Sequence, residues 1–148
     1  SSDLQEILVD KFVKSLKQND DYLHLPSLST EGWDAYQQGN YKEALRIFLL
    51  LAGPEIYDSQ AQHNVAHMYL TGKGTLKDEK KSAYWFTQAA EQGLHEAQYS
   101  LGLSYIYGWG VLKSKKDAAY WIRKAYENGN EKAEEIWNDY ELWNYEQD

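Results

Sequence analysis

The stretch AQHNVAHMYLTGKGTLKDEKKSAYWFTQAAEQG, residues 61–93, is followed three residues later by AQYSLGLSYIYGWGVLKSKKDAAYWIRKAYENG, residues 97–129. Placed over one another at a shift of 36, residues 61–96 and 97–132 agree at 14 of 36 positions, where average residue usage predicts about two. The shared positions include Ala61/Ala97, Tyr69/Tyr105, Gly72/Gly108, Gly74/Gly110, Ala83/Ala119, Trp85/Trp121, Ala89/Ala125 and Gly93/Gly129. Small residues, glycines and large aromatics decide backbone geometry and packing, so the repeat is structural.

Each copy resolves into two helices. Ala61, Val65, Met68 and Tyr69 recur at i, i+4, i+7 and i+8, the stripe of one buried helix face. Gly72 and Gly74 stop that helix, because glycine takes the positive φ of a helix C-terminus without a steric penalty. A second helix is expected from Asp78, or Ser114 in the next copy, whose short side-chain oxygens can cap free amides; it ends at Gly93 or Gly129. Its apolar face carries Ala83, Phe86, Ala89 and Ala90, with Trp85 filling the space between repeats. A degenerate copy precedes these two in GWDAYQQGNYKEALRIFLLLA, residues 32–52. Its Ala44, Ile47, Leu51 and Ala52 align with Ser82, Trp85, Ala89 and Ala90 at a shift of 38, the two additional residues falling in the loop GPEIYDSQ, where Pro54 ends the helix.

The pattern A-x-x-x-[LV]-[AG]-x-x-Y-x-x-G-x-G, then A-x-W-x-x-x-A and a closing Gly, at a 36-residue period, resembles the Sel-one-like repeat family, relatives of tetratricopeptide repeats. Ala66 stands where that family usually has Gly, Thr75 where it has Val, and Tyr126 where it has a second Ala. The resemblance implies an all-α fold, a right-handed superhelical α/α solenoid of antiparallel helix pairs. It also implies a non-catalytic adaptor or scaffold for protein partners, with bacterial examples in envelope assembly, signalling and host contact and eukaryotic ones in protein quality control.

The ends read as caps, which a solenoid needs because a terminal repeat otherwise exposes half an interface. Residues 1–18 form an N-terminal capping helix with Leu4, Ile7, Leu8, Phe12 and Leu16 on one face, and residues 19–30 a connecting loop. The degenerate repeat is placed at 28–52, the full repeats at 59–93 and 95–129, and a C-terminal capping helix at 131–145 with the stripe Ala133, Ile136, Trp137 and Tyr140. All of this is expected as one folded unit, the size of an ordinary single domain.

Composition excludes several functional classes. No apolar run approaches the roughly 20 residues of a membrane span, so a water-soluble chain is expected. Without cysteine there is no disulfide, thiol nucleophile or thiolate metal site. Absence of cysteine suits cytoplasm and periplasm alike, and the start at Ser1 is compatible with a removed export signal, so the compartment stays open. The net charge of −8 is unevenly spread: residues 127–148 hold eight acids against Lys132 alone, while residues 73–124 hold nine bases against five acids. That polarity argues against a nucleic-acid surface and leaves the acidic end to solvent or to a basic partner.

The one enzyme-like motif is HNVAH, residues 63–67. Zinc hydrolases of the HExxH type need a glutamate after the first histidine and a further ligand; here the position is Asn64, and the next copy has Tyr99 and Leu103 in place of His63 and His67. His24 and His95 form no cluster with them. GKGT at 72–75 lacks the spacing of a phosphate loop, no Gly-x-Ser-x-Gly is present, and Glu134 and Glu135 are adjacent on different helix azimuths, unsuited to joint acid–base work. Neither catalytic residues nor a metal or cofactor are expected.

Binding remains. In the tetratricopeptide register the first helix of each pair lines the concave surface, which would present His63, Asn64, His67, Leu70 and Thr71 in one repeat and Tyr99, Ser100, Leu103, Ile106 and Tyr107 in the next. Tyr99, Leu103 and Tyr107 make a second apolar stripe, read either as a groove for a peptide or helix or as a seat for a neighbouring helix such as the C-terminal cap. The functional reading is a monomeric adaptor for a protein or peptide partner. Two alternatives are an immunity or inhibitor protein that covers a basic toxin, and a relative of the cysteine-rich family members linked to β-lactams, whose cysteine pairs this chain lacks.

Overall fold

The computed structural model describes residues 25–146, together with Ile7, Lys11 and Lys14, which are helical. The remainder of the N-terminal capping helix expected at 1–18 lies outside the described residues; Ile7, assigned to its apolar face, is 52% exposed. Among the described residues there are seven α-helices and no strand: α1 (Leu25–Gln37), α2 (Tyr41–Ala52), α3 (Ser59–Thr71), α4 (Glu79–Glu91), α5 (His95–Tyr107), α6 (Lys115–Glu127) and α7 (Ala133–Asp139), followed by a 3-10 turn at Leu142–Tyr145. The chain divides into two compact units, Ser1–Lys77 and Asp78–Asp148. In a repeat array each element packs chiefly on its sequence neighbours, so compact sub-units arise along the chain.

In the first unit α1 packs on α2 and α2 on α3. Helix α1 starts at Leu25, inside the segment expected as a loop; Pro26 is tolerated there because first-turn amides have no intrahelical acceptor. Ala44, Ile47, Leu51 and Ala52 of the degenerate copy are buried, as are Ala61, Val65, Met68 and Tyr69 of α3. Asp58 caps α3, its carboxylate accepting the Ala61 amide at 2.8 Å. Gln62 is wholly buried and donates to the Ala52 carbonyl at 3.1 Å, satisfying an acceptor that the end of α2 leaves open. From the loop after α3, Lys73 places its ammonium 5.1 and 5.2 Å from the rings of Tyr36 and Tyr41 and donates to the Tyr36 hydroxyl at 3.0 Å.

The second unit repeats this logic. Asp78 and Ser114 cap α4 and α6 by accepting the amides of Lys81 and Asp117. Gln98, the counterpart of Gln62, is buried and donates to the Ala90 carbonyl at 3.1 Å. Helix α6 packs on α5, and Ile106, Ala118, Ala119, Ile122, Ala125, Ala133 and Leu142 form one core cluster. The C-terminal cap is not the continuous helix expected at 131–145. It breaks at Glu141, which takes a left-handed φ of 50°, so that Leu142 enters the core with no exposed surface. A left-handed non-glycine residue costs roughly 1–2 kcal/mol, and burying a leucine returns about 1.5–3 kcal/mol, which offsets that strain.

Trp85 is buried at 9% exposure while its counterpart Trp121 is half-buried. Trp85→Ala is expected to cost about 3–5 kcal/mol of stability and Trp121→Ala less, measured by denaturant melts of the two variants. Equal, small losses would contradict the register.

Candidate functional site

The residues expected on the first helix of each repeat separate into three groups. Asn64, Ser100 and Ile106, expected on the surface, are buried at 8, 8 and 9% exposure. Helix α5 is covered on two sides, by α4 through the Gln98 bridge and by α6 through the close contact of Gly102 with Ile122. A register with one hidden face therefore assigns too many positions to solvent. Asn64 and Ser100 lie three residues after Ala61 and Ala97, on the same covered side. Asn64 accepts from the side chain of Gln60 at 3.2 Å, and Ser100 offers its backbone carbonyl to the Ser104 hydroxyl at 2.9 Å.

Tyr99 and Leu103 form the second group. They are half-buried against the core cluster that includes Ala133 and Leu142, together with Ile136, Trp137 and Tyr140 of the C-terminal cap. Their stripe thus packs on that cluster. Burial, with the nearby Glu135 carboxylate, holds the Tyr99 phenol above its ordinary pKa. Tyr107, at the end of the stripe, is 42% exposed, but its hydroxyl lies 2.7 Å from that of Tyr140 and its ring 4.9 Å from Trp109. The hydrogen bond to Tyr140 is the main cause of its raised pKa.

The third group is accessible: His67 and Thr71 are exposed, His63 and Leu70 half-buried. The imidazoles of His63 and His67 meet edge to face at 4.6 Å, and Thr71 donates its hydroxyl to the His67 carbonyl. Among the described residues no group of three His, Cys, Asp or Glu side chains could hold a metal ion.

Sequence reasoning missed two clefts in the second unit. One, of about 370 Å³, is lined by Ile122, Tyr126 and Trp137 with Arg123, Glu134, Asn138 and Glu146. The other, of about 210 Å³, shares Arg123 and Glu146 with it. Arg123 donates to Glu127 at 3.0 Å and to Glu146 at 2.5 Å, pinning the segment after the 3-10 turn to α6. No spacing rule brings residue 146 to residue 123, because that approach depends on the break at Glu141.

Residues 59–94 and 95–130 match the Sel1 repeat. A Sel1 repeat protein from Oxalobacter formigenes is 34% identical, with a TM-score of 0.66 over 73% of this chain and 44% of its own. A protective antigen present in uropathogenic Escherichia coli strains, displaying an SLR fold, is 31% identical, with a TM-score of 0.68 over 84% of this chain and 26% of its own. No curated protein matches the sequence. The chain carries two Sel1 repeats. It spans less than half the length of either solved relative. Sel1 repeats are typically a non-catalytic scaffold and generally mediate protein–protein interaction. No helix among the described residues is long and apolar enough to cross a membrane.

Because Leu103 packs on the core cluster, Leu103→Glu places a carboxylate against apolar side chains and is expected to destabilise the protein by on the order of 2–4 kcal/mol. Circular dichroism melts measure this; an unchanged melting temperature would return Leu103 to the surface.

Proposed function

We propose that the protein is a non-catalytic adaptor that binds a protein or peptide partner, and that the accessible positions of α3, namely His63, His67, Leu70 and Thr71, form a contact surface. One observation carries this reading. His67 and Thr71 are exposed on α3, and the same slots of the next copy hold Leu103 and Tyr107, as His63 gives way to Tyr99. Tyr99 and Leu103 pack on the cluster that includes Ala133 and Leu142, while His67 and Thr71 stay at the surface. A surface of imidazole, hydroxyl and one leucine can orient a partner by hydrogen bonds around a small apolar contact. Tyr107, exposed beside Trp109, is a separate aromatic contact on α5.

An inhibitory variant of this reading is favoured by the acidic end, where Glu131, Glu134, Glu135, Asp139 and Glu141 are all exposed. A basic effector or toxin neutralised by the chain would make it an immunity protein, and a toxin gene beside its own in the source genome separates this from the adaptor role.

The test is affinity capture from the source organism with mass spectrometry, repeated with His67→Glu/Thr71→Glu. A specific partner is expected with the native chain and at least about tenfold less with the variant, at an unchanged melting temperature. Equal capture by both would remove α3 as the contact surface.

A further inference from the structure

Helices α6 and α7 line a cleft at the positions where α4 and α5 are packed closed. Between α4 and α5, Phe86, Ala90 and Leu101 are shut off from solvent, and Gly102 admits α6: a Cβ on Gly102 would come within 2.5 Å of the Ile122 Cδ1. At a shift of 36 these four positions become Ile122, Tyr126, Trp137 and Asn138, which line the cleft of about 370 Å³. Asn138 stands where glycine let the next helix approach, and Tyr126 stands where Ala90 kept the surface low. The seat is therefore shaped against a further apolar helix. Its volume suits a side chain and the backbone around it.

The charges in the cleft select that side chain. Arg123 is already engaged with Glu127 and Glu146, so it offers little to an anion. The side chains of Glu134 and Asn138 have no hydrogen-bond or ion-pair partner among the described residues. Exposed Glu131, Glu135 and Asp139 lie close in sequence, and residues 127–148 carry eight acids against one base. Aromatic faces beside an unpaired carboxylate favour a flat cation: a guanidinium can stack on Trp137 or Tyr126 while pairing with Glu134 and donating to the Asn138 carbonyl oxygen. We propose that this cleft binds an arginine side chain presented by a basic segment of a partner protein. The proposal draws on the reading of the chain as a protein-binding module for its choice of a peptide, but its site shares no residue with the α3 surface.

The probe is the blocked tripeptide acetyl-Ala-Arg-Ala-amide, titrated into the full chain while the Trp137 indole N–H is followed by NMR, that resonance being assigned with Trp137→Phe. A saturable shift is expected, weakening with added salt. The peptide with citrulline in place of arginine keeps the shape and loses the charge, so it should bind at least about tenfold more weakly. Glu134→Gln, at an exposed position, should fold normally and lose arginine affinity to a similar degree. No saturable shift at Trp137, an equal response to citrulline, or full binding by Glu134→Gln would each overturn the proposal. None of these results bears on capture through His67 and Thr71, so the two readings fail separately.

Discussion

Two close backbone approaches fix where each G-x-G loop sits. The second glycine of each G-x-G loop lies against the first residue of an earlier second helix: a Cβ at Gly74 would stand 2.5 Å from the Tyr41 carbonyl oxygen, and one at Gly110 would fall inside the radius of the Glu79 carbonyl oxygen. Gly74 and Gly110 are 36 residues apart, Tyr41 and Glu79 are 38. The second interval is the shift that aligns the degenerate copy with the full one. Both glycines also have left-handed backbones, with φ of 77° and 74°, so conformation and space each exclude a side chain. The glutamine bridges at Gln62 and Gln98 are the second shared device, each closing a carbonyl at the end of the preceding helix, at Ala52 and Ala90. A buried amide left without such a partner would cost about 1–3 kcal/mol, so these bridges hold the first helix of each repeat in place.

Much of the fold was legible because repetition reports on packing. The 36-residue period, the glycine stops, the caps at Asp78 and Ser114 and the buried stripes of α3 and α4 all follow from residue type and spacing. What stayed hidden depends on long-range geometry. Ser100 and Ile106 read as surface positions because a helical stripe marks one buried face, whereas α5 has two, and Asn64 lies on the covered side of α3 beside Ala61. The break at Glu141 carries no glycine or proline to announce it; it is driven by the burial of Leu142 in a core assembled elsewhere. The start of α1 at Leu25 was obscured by Pro26, which reads as a breaker unless its place in the first turn is known.

The site was less legible than the fold for a related reason. The slots His63/Tyr99, His67/Leu103 and Thr71/Tyr107 differ between copies, and contact with a partner or with a neighbouring segment of the chain can each make them differ. Tyr99 and Leu103 pack on the cluster that includes Ala133 and Leu142, a long-range contact that residue spacing does not show. HNVAH owes its resemblance to a zinc motif to the same slots, since an i, i+4 pair is simply the spacing of neighbours on one side of a helix. The cleft beside Trp137 stands where the repeat pattern is departed from, with Asn138 for Gly102 and Tyr126 for Ala90, and such departures are where function can be added to a scaffold without disturbing its packing.

The account rests on the glycine contact, and the most direct measurement compares alanine at two glycines of similar backbone. Gly129 has a φ of 94° with no atom within 4 Å of an added Cβ, whereas Gly110 has a φ of 74° and meets the backbone of Glu79 and Lys80. Gly129→Ala should cost only the conformational penalty, roughly 1–2 kcal/mol. Gly110→Ala should cost at least about twice that, because backbone must move as well. Urea melts of both variants give the two values, and equal losses would show that helix-pair stacking does not depend on the close approach at Gly110.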